Sequence, residues 1–250
     1  MVHWIASGTG GVLGAAVGSY LATVLLRWPR DISATQGRSR CDTCGMRLGP
    51  ASLIPILSYV LQRGRCRGCG TSIAVDHPAM ELAGAMIGGL SAAFFVTTLP
   101  LALASAMFGW TLLLLAAFDL RYFWLPDRLT LPLAALGILV SLGRIGPAPV
   151  SALIGAIAGF SCLWAVGRVY RSLRGQEGLG GGDPKLFGAI GAWVGWDVLP
   201  KVLLAAACLG LAATAVSYLM GKSLNARTRL PLGSLLAMAA WPLWLVAQLD

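Results

Sequence analysis

Two short segments each place an aspartate beside an apolar or glycine-rich run. Asp119 follows the unbroken apolar residues 112–118, and Asp183 follows three glycines, 180–182, and precedes Pro184. An ionisable side chain at a membrane span is costly and marks a functional site by default. The chain has only two histidines, which are too few and too far apart in the sequence to favour a His-based triad or a zinc protease motif. The sequence therefore indicates a chemistry of two aspartates, in which paired carboxyl groups activate a water molecule.

Each aspartate also has an ordinary structural interpretation. Asp119 could lie at the membrane interface and pair with Arg121, and Asp183 could be the N-cap of a helix. The glycines favour a functional site, because glycine lets a backbone or a bound peptide approach closely. Asp127, next to Arg128, is interpreted as the cap of the helix that follows it.

Four cysteines form a second chemical feature, with the spacing C-x2-C-x21-C-x2-C and a glycine after each pair. Two such knuckles supply four thiolates in a tetrahedral arrangement, which is typical of structural zinc and leaves no open position for catalysis. Two disulfides are the competing interpretation. The predicted topology, given below, argues against them because it places this segment in the cytoplasm, which is reducing. The predicted zinc ligands are Cys41, Cys44, Cys66 and Cys69.

The composition indicates that a polytopic, all-α membrane protein holds these residues in place. Hydrophobic residues make up 57% of the 250 residues, charged residues make up 12%, and the mean hydropathy is +0.75. Such a composition is not that of a water-soluble globule. Since about 20 apolar residues cross a bilayer, we predict about eight transmembrane helices. The predicted spans are 4–26, 79–98, 100–118, 125–143, 149–167, 184–198, 199–219 and 230–248.

Alternation of these spans places seventeen of the nineteen Lys and Arg residues on one side, leaving Arg144 and Lys201 opposite. The positive-inside rule identifies that side as cytoplasmic. It also accounts for the net charge of +9 better than nucleic-acid binding, for which no basic helix interleaved with aromatics is present. Both aspartates and the polar segment fall on the cytoplasmic side. We predict a first transmembrane helix, 1–26, a cytoplasmic zinc-knuckle domain, 27–78, and a seven-helix transmembrane core, 79–250.

Glycines within the predicted spans are interpreted as packing residues, because small residues let helix backbones approach in lipid. They include Gly10, Gly84, Gly88, Gly155 and Gly159. The tight connections at 98–100 and 198–199 predict that their flanking helices form antiparallel hairpins.

These features resemble the type IV prepilin peptidase family, also called prepilin leader peptidase/N-methyltransferase, of the G-x-G-D aspartyl proteases. Asp119 to Asp127 is similar to its D-x6-P-D segment, and Gly180 to Asp183 is similar to its G-x-G-D motif. Residues 230–233 resemble its late I-P-F-G motif. Residues 18–29 resemble its G-S-F-L-N-V-V-I-x-R-L-P entry, and the cysteine knuckles resemble its cytoplasmic domain. Residues 77–81 fall where the family has a Y-P-x-x-E-like segment.

The resemblance implies an aspartic endopeptidase of the bacterial inner membrane, with Asp119 and Asp183 as the catalytic pair at the cytoplasmic face. It implies type IV prepilins or the pseudopilins of type II secretion as substrates. It also implies N-methylation of the new amino terminus, with S-adenosylmethionine as the donor, although it identifies no residues that bind this donor. The residues expected to support the substrate or a loop are Gly180, Gly182, Lys185 and Glu81.

A non-enzymatic membrane protein is the alternative function. A scaffold or a cation or proton transporter with a structural zinc knuckle would use Asp119 and Asp183 to bind a cation or a proton. Many transporters show hydropathy symmetry between two halves of the chain, and this sequence does not. Cleavage of a synthetic prepilin in detergent separates the two functions.

Overall fold

The computed structural model describes residues 2–35, 39–41, 43–176, 178–221 and 230–249. These ranges contain nine α-helices, two 3-10 turns and, in the cysteine segment, two isolated antiparallel bridges. The helices are α1 Val2–Arg27, α2 Leu57–Leu61, α3 Asp76–Phe94, α4 Leu99–Tyr122, α5 Asp127–Leu142, α6 Pro149–Arg174, α7 Asp183–Val194, α8 Leu199–Leu219 and α9 Leu232–Ala247. Of the basic residues behind the predicted topology, Arg38, Lys222, Arg227 and Arg229 lie outside the described ranges.

Within the described ranges, four helical segments are long and apolar enough to cross a membrane on their own. They are Val2–Arg30, Leu99–Tyr122, Pro149–Arg174 and Leu199–Leu219, and Leu232–Ala247 is a shorter apolar helix. A helix occurs at each of the eight predicted positions, but α7 has only 12 residues. At 1.5 Å per residue it is about 18 Å long, which is less than a hydrocarbon core of about 30 Å. The chain is thus an all-helical membrane protein, and the count of eight spans stays a prediction.

The helix that carries Asp119 extends past the predicted span. We predicted an end at residue 118, but α4 continues to Tyr122, and the N–H of Phe123 donates to the carbonyl oxygen of Asp119 at 2.9 Å. An apolar run stops at its first charged residue, whereas the backbone hydrogen bonds of a helix continue through it. Asp119 therefore lies inside the last turn of α4.

The chain divides into two compact units, Met1–Trp110 and Thr111–Asp250. In the first unit α1 packs against α3 through facing glycines: a Cβ at Gly10 would meet the carbonyl oxygen of Gly88, and one at Gly14 would meet that of Gly84. These are the close helix contacts that small residues permit in lipid. The structure agrees with the predicted packing role of these glycines.

The hairpin predicted around residues 98–100 is also present in the first unit. The hydroxyl groups of Ser91 and Ser105 lie 2.8 Å apart, and the indole N–H of Trp110 donates to the carbonyl oxygen of Gly84 at 3.0 Å. Because the later residue of α4 contacts the earlier residue of α3, the two helices run antiparallel.

The second unit is built around α7. All residues of this helix are buried except Lys185, because α5, α6 and α9 contact it. Gly155 of α6 faces the carbonyl oxygen of Gly191, and the indole N–H of Trp193 donates to the carbonyl oxygen of Leu133 in α5 at 2.8 Å. A helix that is apolar on all sides belongs in such a core. These contacts fix the position of the first residue of α7, which is Asp183.

Candidate active site

Asp119 and Asp183 lie together in the second unit, and both are buried, with exposed fractions of 5% and 7%. Oδ2 of Asp119 accepts a hydrogen bond from the backbone N–H of Ser234, in the first turn of α9, at 2.7 Å. The backbone N–H of Gly233 interacts with both carboxyl groups, which also interact with each other electrostatically. The structure thus brings the two predicted aspartates together, and the first turn of α9 contacts both of them.

The carboxyl group of Asp183 is held by its own glycine segment. Oδ2 of Asp183 accepts a hydrogen bond from the N–H of Gly180 at 3.1 Å. The N–H of Asp183 donates back to the carbonyl oxygen of Gly180 at 3.2 Å. Gly182 occupies the N-cap position of α7 without a side-chain cap, and Asp183 is the first helical residue. The interpretation of Asp183 as an ordinary N-cap is therefore wrong.

Three glycines lie in close contact with the two carboxyl groups or with Leu125 beside them. A Cβ at Gly180 would lie 3.0 Å from Oδ2 of Asp183, and one at Gly182 would lie 2.7 Å from Cβ of Leu125. A Cβ at Gly233 would lie 3.0 Å from Oδ2 of Asp119. The support expected of Gly180 and Gly182 is therefore steric in this structure, since their missing side chains leave room for Asp183 and Leu125.

Asp127 forms an ion pair instead of capping α5. Its two carboxylate oxygens lie 2.8 and 2.7 Å from Nζ of Lys185, in the first turn of α7. The N-cap position of α5 is Pro126, and the helix has no side-chain cap. Our interpretation of Asp127 as a helix cap is thus wrong, because the opposite charge of Lys185 takes its carboxylate. Arg121 was considered above as a partner of Asp119. In the structure its guanidinium carbon lies 6.0 Å from the ring centroid of Tyr122.

The four predicted metal ligands cluster in the first unit. The Sγ atoms of Cys41, Cys44, Cys66 and Cys69 all lie within 4.8 Å of one another, and all six cysteines of the chain are free. The two knuckles share one local fold: Cys41 donates its N–H to the carbonyl oxygen of Met46, and Cys66 donates to that of Thr71, both at 2.9 Å. Each knuckle turns at a glycine, Gly45 or Gly70, with φ of +70° or +71°.

The cysteine cluster fits a zinc ion. With Zn–S bonds of about 2.3 Å, tetrahedral geometry separates neighbouring sulfur atoms by about 3.8 Å, and Cys41 and Cys69 have Sγ atoms 3.9 Å apart. The hydroxyl and backbone N–H of Thr71 lower the pKa of Cys69 to about 6, and the backbone N–H groups of Cys44 and Thr43 lower the pKa of Cys41. Both shifts favour the thiolate, which is the form that binds a metal. Burial and the neighbouring Cys69 raise the pKa of Cys44 to about 11, so the zinc assignment rests on the spacing of the sulfur atoms.

Glu81 anchors the polar segment to α3. This side chain is 6% exposed, and its Oε2 accepts a hydrogen bond from the N–H of Ile56 at 2.6 Å. Ile56 has φ of +62° and ψ of −54°, and the N–H of Leu57 donates to the carbonyl oxygen of Pro55 at 2.6 Å. This is a γ-turn, which is strained for a residue other than glycine. Glu81 thus contacts the backbone of the polar segment, and its role in supporting a substrate or a loop stays a prediction.

Comparison with known proteins assigns the chain to a family. Residues 12–95 match the Bacterial Peptidase A24 N-terminal domain, and residues 106–215 match the Type IV leader peptidase family. A protein of Burkholderia pseudomallei (strain 1026b), named prepilin leader peptidase/N-methyltransferase, is 39% identical over an alignment of 254 positions, gaps included. The alignment covers 90% of this chain and 81% of the relative. The chain belongs to the type IV leader peptidase family.

Other relatives that carry the same name come from Dichelobacter nodosus and Pseudomonas putida. The first is 38% identical over 203 residues, covering 81% of this chain and 69% of the relative. The second is 33% identical over 252 residues, covering 92% and 87%. No solved structure matches the chain. The predicted resemblance to the type IV leader peptidase family is confirmed.

The sequence interpretation missed the contact between Ser234 and Asp119. Ser234 lies beyond the residues 106–215 that match the family, and its contribution is a backbone N–H, which every residue except proline carries. The resemblance of residues 230–233 to a late family motif was the signal that pointed to this segment, without indicating what it contacts.

Proposed function

We propose that this member of the type IV leader peptidase family is a membrane aspartic endopeptidase that removes the leader peptide of type IV prepilins or type II secretion pseudopilins. One observation carries the proposal: two buried aspartates from α4 and α7, which are 64 residues apart in the sequence, lie at one place. The names of the relatives supply the substrate class.

The two carboxyl groups act together on a water molecule and on the scissile peptide bond. Two carboxyl groups at close range cannot both ionise cheaply, so the pair holds one proton. The ionised group takes a proton from water while the water oxygen bonds to the carbonyl carbon, and the protonated group gives its proton to the carbonyl oxygen. When the tetrahedral intermediate collapses, the carboxyl group that took the water proton gives it to the amide nitrogen, and the other carboxylate takes back a proton from a hydroxyl group of the intermediate. The C–N bond breaks, the nitrogen leaves as a free amine, and no covalent enzyme intermediate forms.

We further infer that the chain crosses the bacterial inner membrane eight times, with its active site at the cytoplasmic face. The basic residues on the predicted cytoplasmic side support this topology through the positive-inside rule. The four clustered cysteines would hold one zinc ion, which would join the two knuckles and supply folding free energy to the polar segment. The relatives' names support a second activity, N-methylation of the new amino terminus from S-adenosylmethionine.

The test is cleavage of a synthetic prepilin peptide, with its basic leader, by the purified protein in detergent. We expect two products, the leader and a fragment with a free amino terminus, identified by mass spectrometry. A matched reaction with Asp183→Asn protein controls for contaminating proteases. If the wild-type protein cleaves neither prepilin nor pseudopilin peptides, the scaffold or transporter function replaces the peptidase.

A further inference from the structure

The first turn of α9 reaches the proposed catalytic pair through its backbone. The N–H of Ser234 and Oδ2 of Asp119 lie 2.7 Å apart, and both residues are buried, with exposed fractions of 1% and 5%. A short hydrogen bond from an amide to a carboxylate is charge-assisted and stronger than one between neutral groups. The two residues are 115 positions apart in the sequence, so only the tertiary structure creates this contact.

The local structure of α9 directs this N–H toward Asp119. The first four N–H groups of a helix lack acceptors within the helix, and the residue that precedes α9, Pro231, provides no side-chain cap. The hydroxyl of Ser234 donates to the carbonyl oxygen of Pro231 at 2.7 Å, while its N–H is left for the carboxylate. Asp119 therefore caps α9 from another helix, and the helix dipole favours a negative charge at this end.

Gly233 leaves room for the contact. A Cβ at this position would lie 3.0 Å from Oδ2 of Asp119 and 2.8 Å from Cδ1 of Leu125. Because Leu125 also packs against Gly182, beside Asp183, it has little freedom to move away. A side chain at position 233 would therefore displace the carboxyl group of Asp119.

We propose that the backbone N–H of Ser234 is a positioning group of the peptidase. Rotation of a carboxyl group about its Cβ–Cγ bond has broad minima, and a fixed Oδ2 sets the direction of Oδ1. The N–H of Ser234 makes the larger of the two backbone contacts to Asp119, the other coming from Gly233, and without it Oδ1 of Asp119 would sample directions away from the water and from Asp183. An error of about 1 Å in such a position costs about 10²-fold in rate. The inference rests on the proposed peptidase function.

Three variants of position 234 separate the N–H from the side chain. Ser234→Ala keeps the N–H and removes only the hydroxyl. A lactic acid residue at position 234, introduced by nonsense suppression, is the backbone ester of the Ala variant and has an ester oxygen in place of the N–H. Ser234→Pro also removes the N–H, in a genetically encoded form. Because Ser234 is the third residue of α9, the proline ring additionally restricts the backbone of Gly233, so the ester variant is the decisive one. We measure kcat and KM for prepilin cleavage, together with the unfolding temperature in detergent.

The Ala variant, which keeps the N–H, is the reference against which the ester and Pro variants are measured. Relative to the Ala variant, the ester and Pro variants should lose about 10²-fold in kcat at unchanged KM, while both remain folded at the assay temperature. An ester variant with the kcat of the Ala variant would overturn the inference, as would a loss of kcat that follows a matching loss of folded protein. If the wild type itself does not cleave, the proposed function fails, which is a different result from a cleaving wild type with an equally active ester variant.

Discussion

One carboxylate oxygen of each proposed catalytic aspartate accepts a hydrogen bond from a backbone N–H, and the two N–H groups come from different segments of the chain. Oδ2 of Asp119 is bonded to a backbone N–H of α9, and Oδ2 of Asp183 is bonded to the N–H of Gly180 in its own segment. Each carboxyl group is thus anchored by one oxygen. An asparagine in either place has nearly the same shape and keeps an oxygen that accepts the same bond, so it removes the acid–base chemistry and leaves the anchor.

We predict that Asp119→Asn and Asp183→Asn each lower prepilin cleavage by about 10³-fold or more, and that the double variant is little worse than either one. Groups that act as a unit lose their effect when any member is removed. Initial cleavage rates measure this, and unfolding temperatures near that of the wild type show that the fold is intact. The exposed Asp31→Asn is the matched control and should cleave normally. Substantial cleavage by either single variant would rule out the pair.

At the scale of the elements, α7 is positioned along its length. At the start of α7, Lys185 forms an ion pair with Asp127 of α5. In the second half of α7, Gly191 contacts Gly155 of α6. Near the end of α7, the indole N–H of Trp193 donates a hydrogen bond to α5. The ion pair is the exposed member of this set, with 37% of the Lys185 side chain and 52% of the Asp127 side chain accessible. Solvent screens such a pair, so its contribution to overall stability is small.

We predict that charge reversal at either end of this pair, Lys185→Asp or Asp127→Lys, lowers cleavage by about fivefold, which corresponds to about 1 kcal/mol. Combining the two reversals should restore most of the rate, because it recreates an ion pair between α5 and α7. The cleavage rates of the wild type and the three variants form a double-mutant cycle. A double variant whose loss equals the sum of the two single losses would show that the pair does not position α7.

The close contact between α1 and α3 leads to a second prediction at the scale of the elements. Gly14→Ala should destabilise the first unit by about 1–3 kcal/mol, because its Cβ would meet the carbonyl oxygen of Gly84. Gly8→Ala, in the same helix, is the matched control: nothing lies within 4 Å of its Cβ position, and alanine is the better helix former. Unfolding in detergent measures both variants. Equal shifts in the two would contradict the predicted contact between α1 and α3.

The whole molecule carries two chemical centres in different parts of the chain. The cysteine cluster belongs to the unit Met1–Trp110, and the aspartates belong to the unit Thr111–Asp250. The two family matches, over residues 12–95 and 106–215, fall in the same two parts except for residues 106–110 of the second match, which belong to the first unit. We expect the two centres to serve different functions and to respond to different mutations.

We predict about one zinc ion per chain in the purified protein, bound by Cys41, Cys44, Cys66 and Cys69. Because the metal supplies folding free energy, Cys41→Ser or removal of zinc with a chelator should make residues 27–78 sensitive to a protease. Cys208→Ser is the control, since this cysteine of α8 is exposed and outside the cluster. Metal analysis without zinc, together with mass evidence for two disulfides, would overturn the prediction.

We also predict that methyl transfer is separable from cleavage. Transfer to an amine depends mainly on positioning a neutral nitrogen against the donor, and a water-activating carboxyl pair contributes nothing obvious to it. Asp183→Asn protein should therefore still methylate a pre-cleaved pilin peptide with labelled S-adenosylmethionine, whereas Cys41→Ser or Cys66→Ser should impair the transfer. If the wild type methylates and the folded Asp183→Asn protein does not, the two activities share one site.

The sequence by itself determined the features that depend on side-chain type and local spacing. Apolar runs indicated an all-helical membrane protein, and the structure has helices at the predicted places. The two aspartates and the four cysteines stood out because they are rare or regularly spaced, and the family resemblance they supported is confirmed. Glycines in the spans indicated close helix packing, which the structure shows at Gly10 and Gly14.

Only the tertiary structure decided which groups surround the aspartates. The N–H of Ser234 reaches Asp119 across 115 positions, and Lys185 reaches Asp127 across 58. The spacing of residues along the chain carries no record of such distant pairs, and a backbone N–H looks the same at every residue that has one. Asp127 was expected to cap α5 because a local pattern shows only local partners. The burial of the short helix α7, which is complete except at Lys185, is likewise a product of packing, since an apolar run does not indicate whether lipid or protein surrounds it.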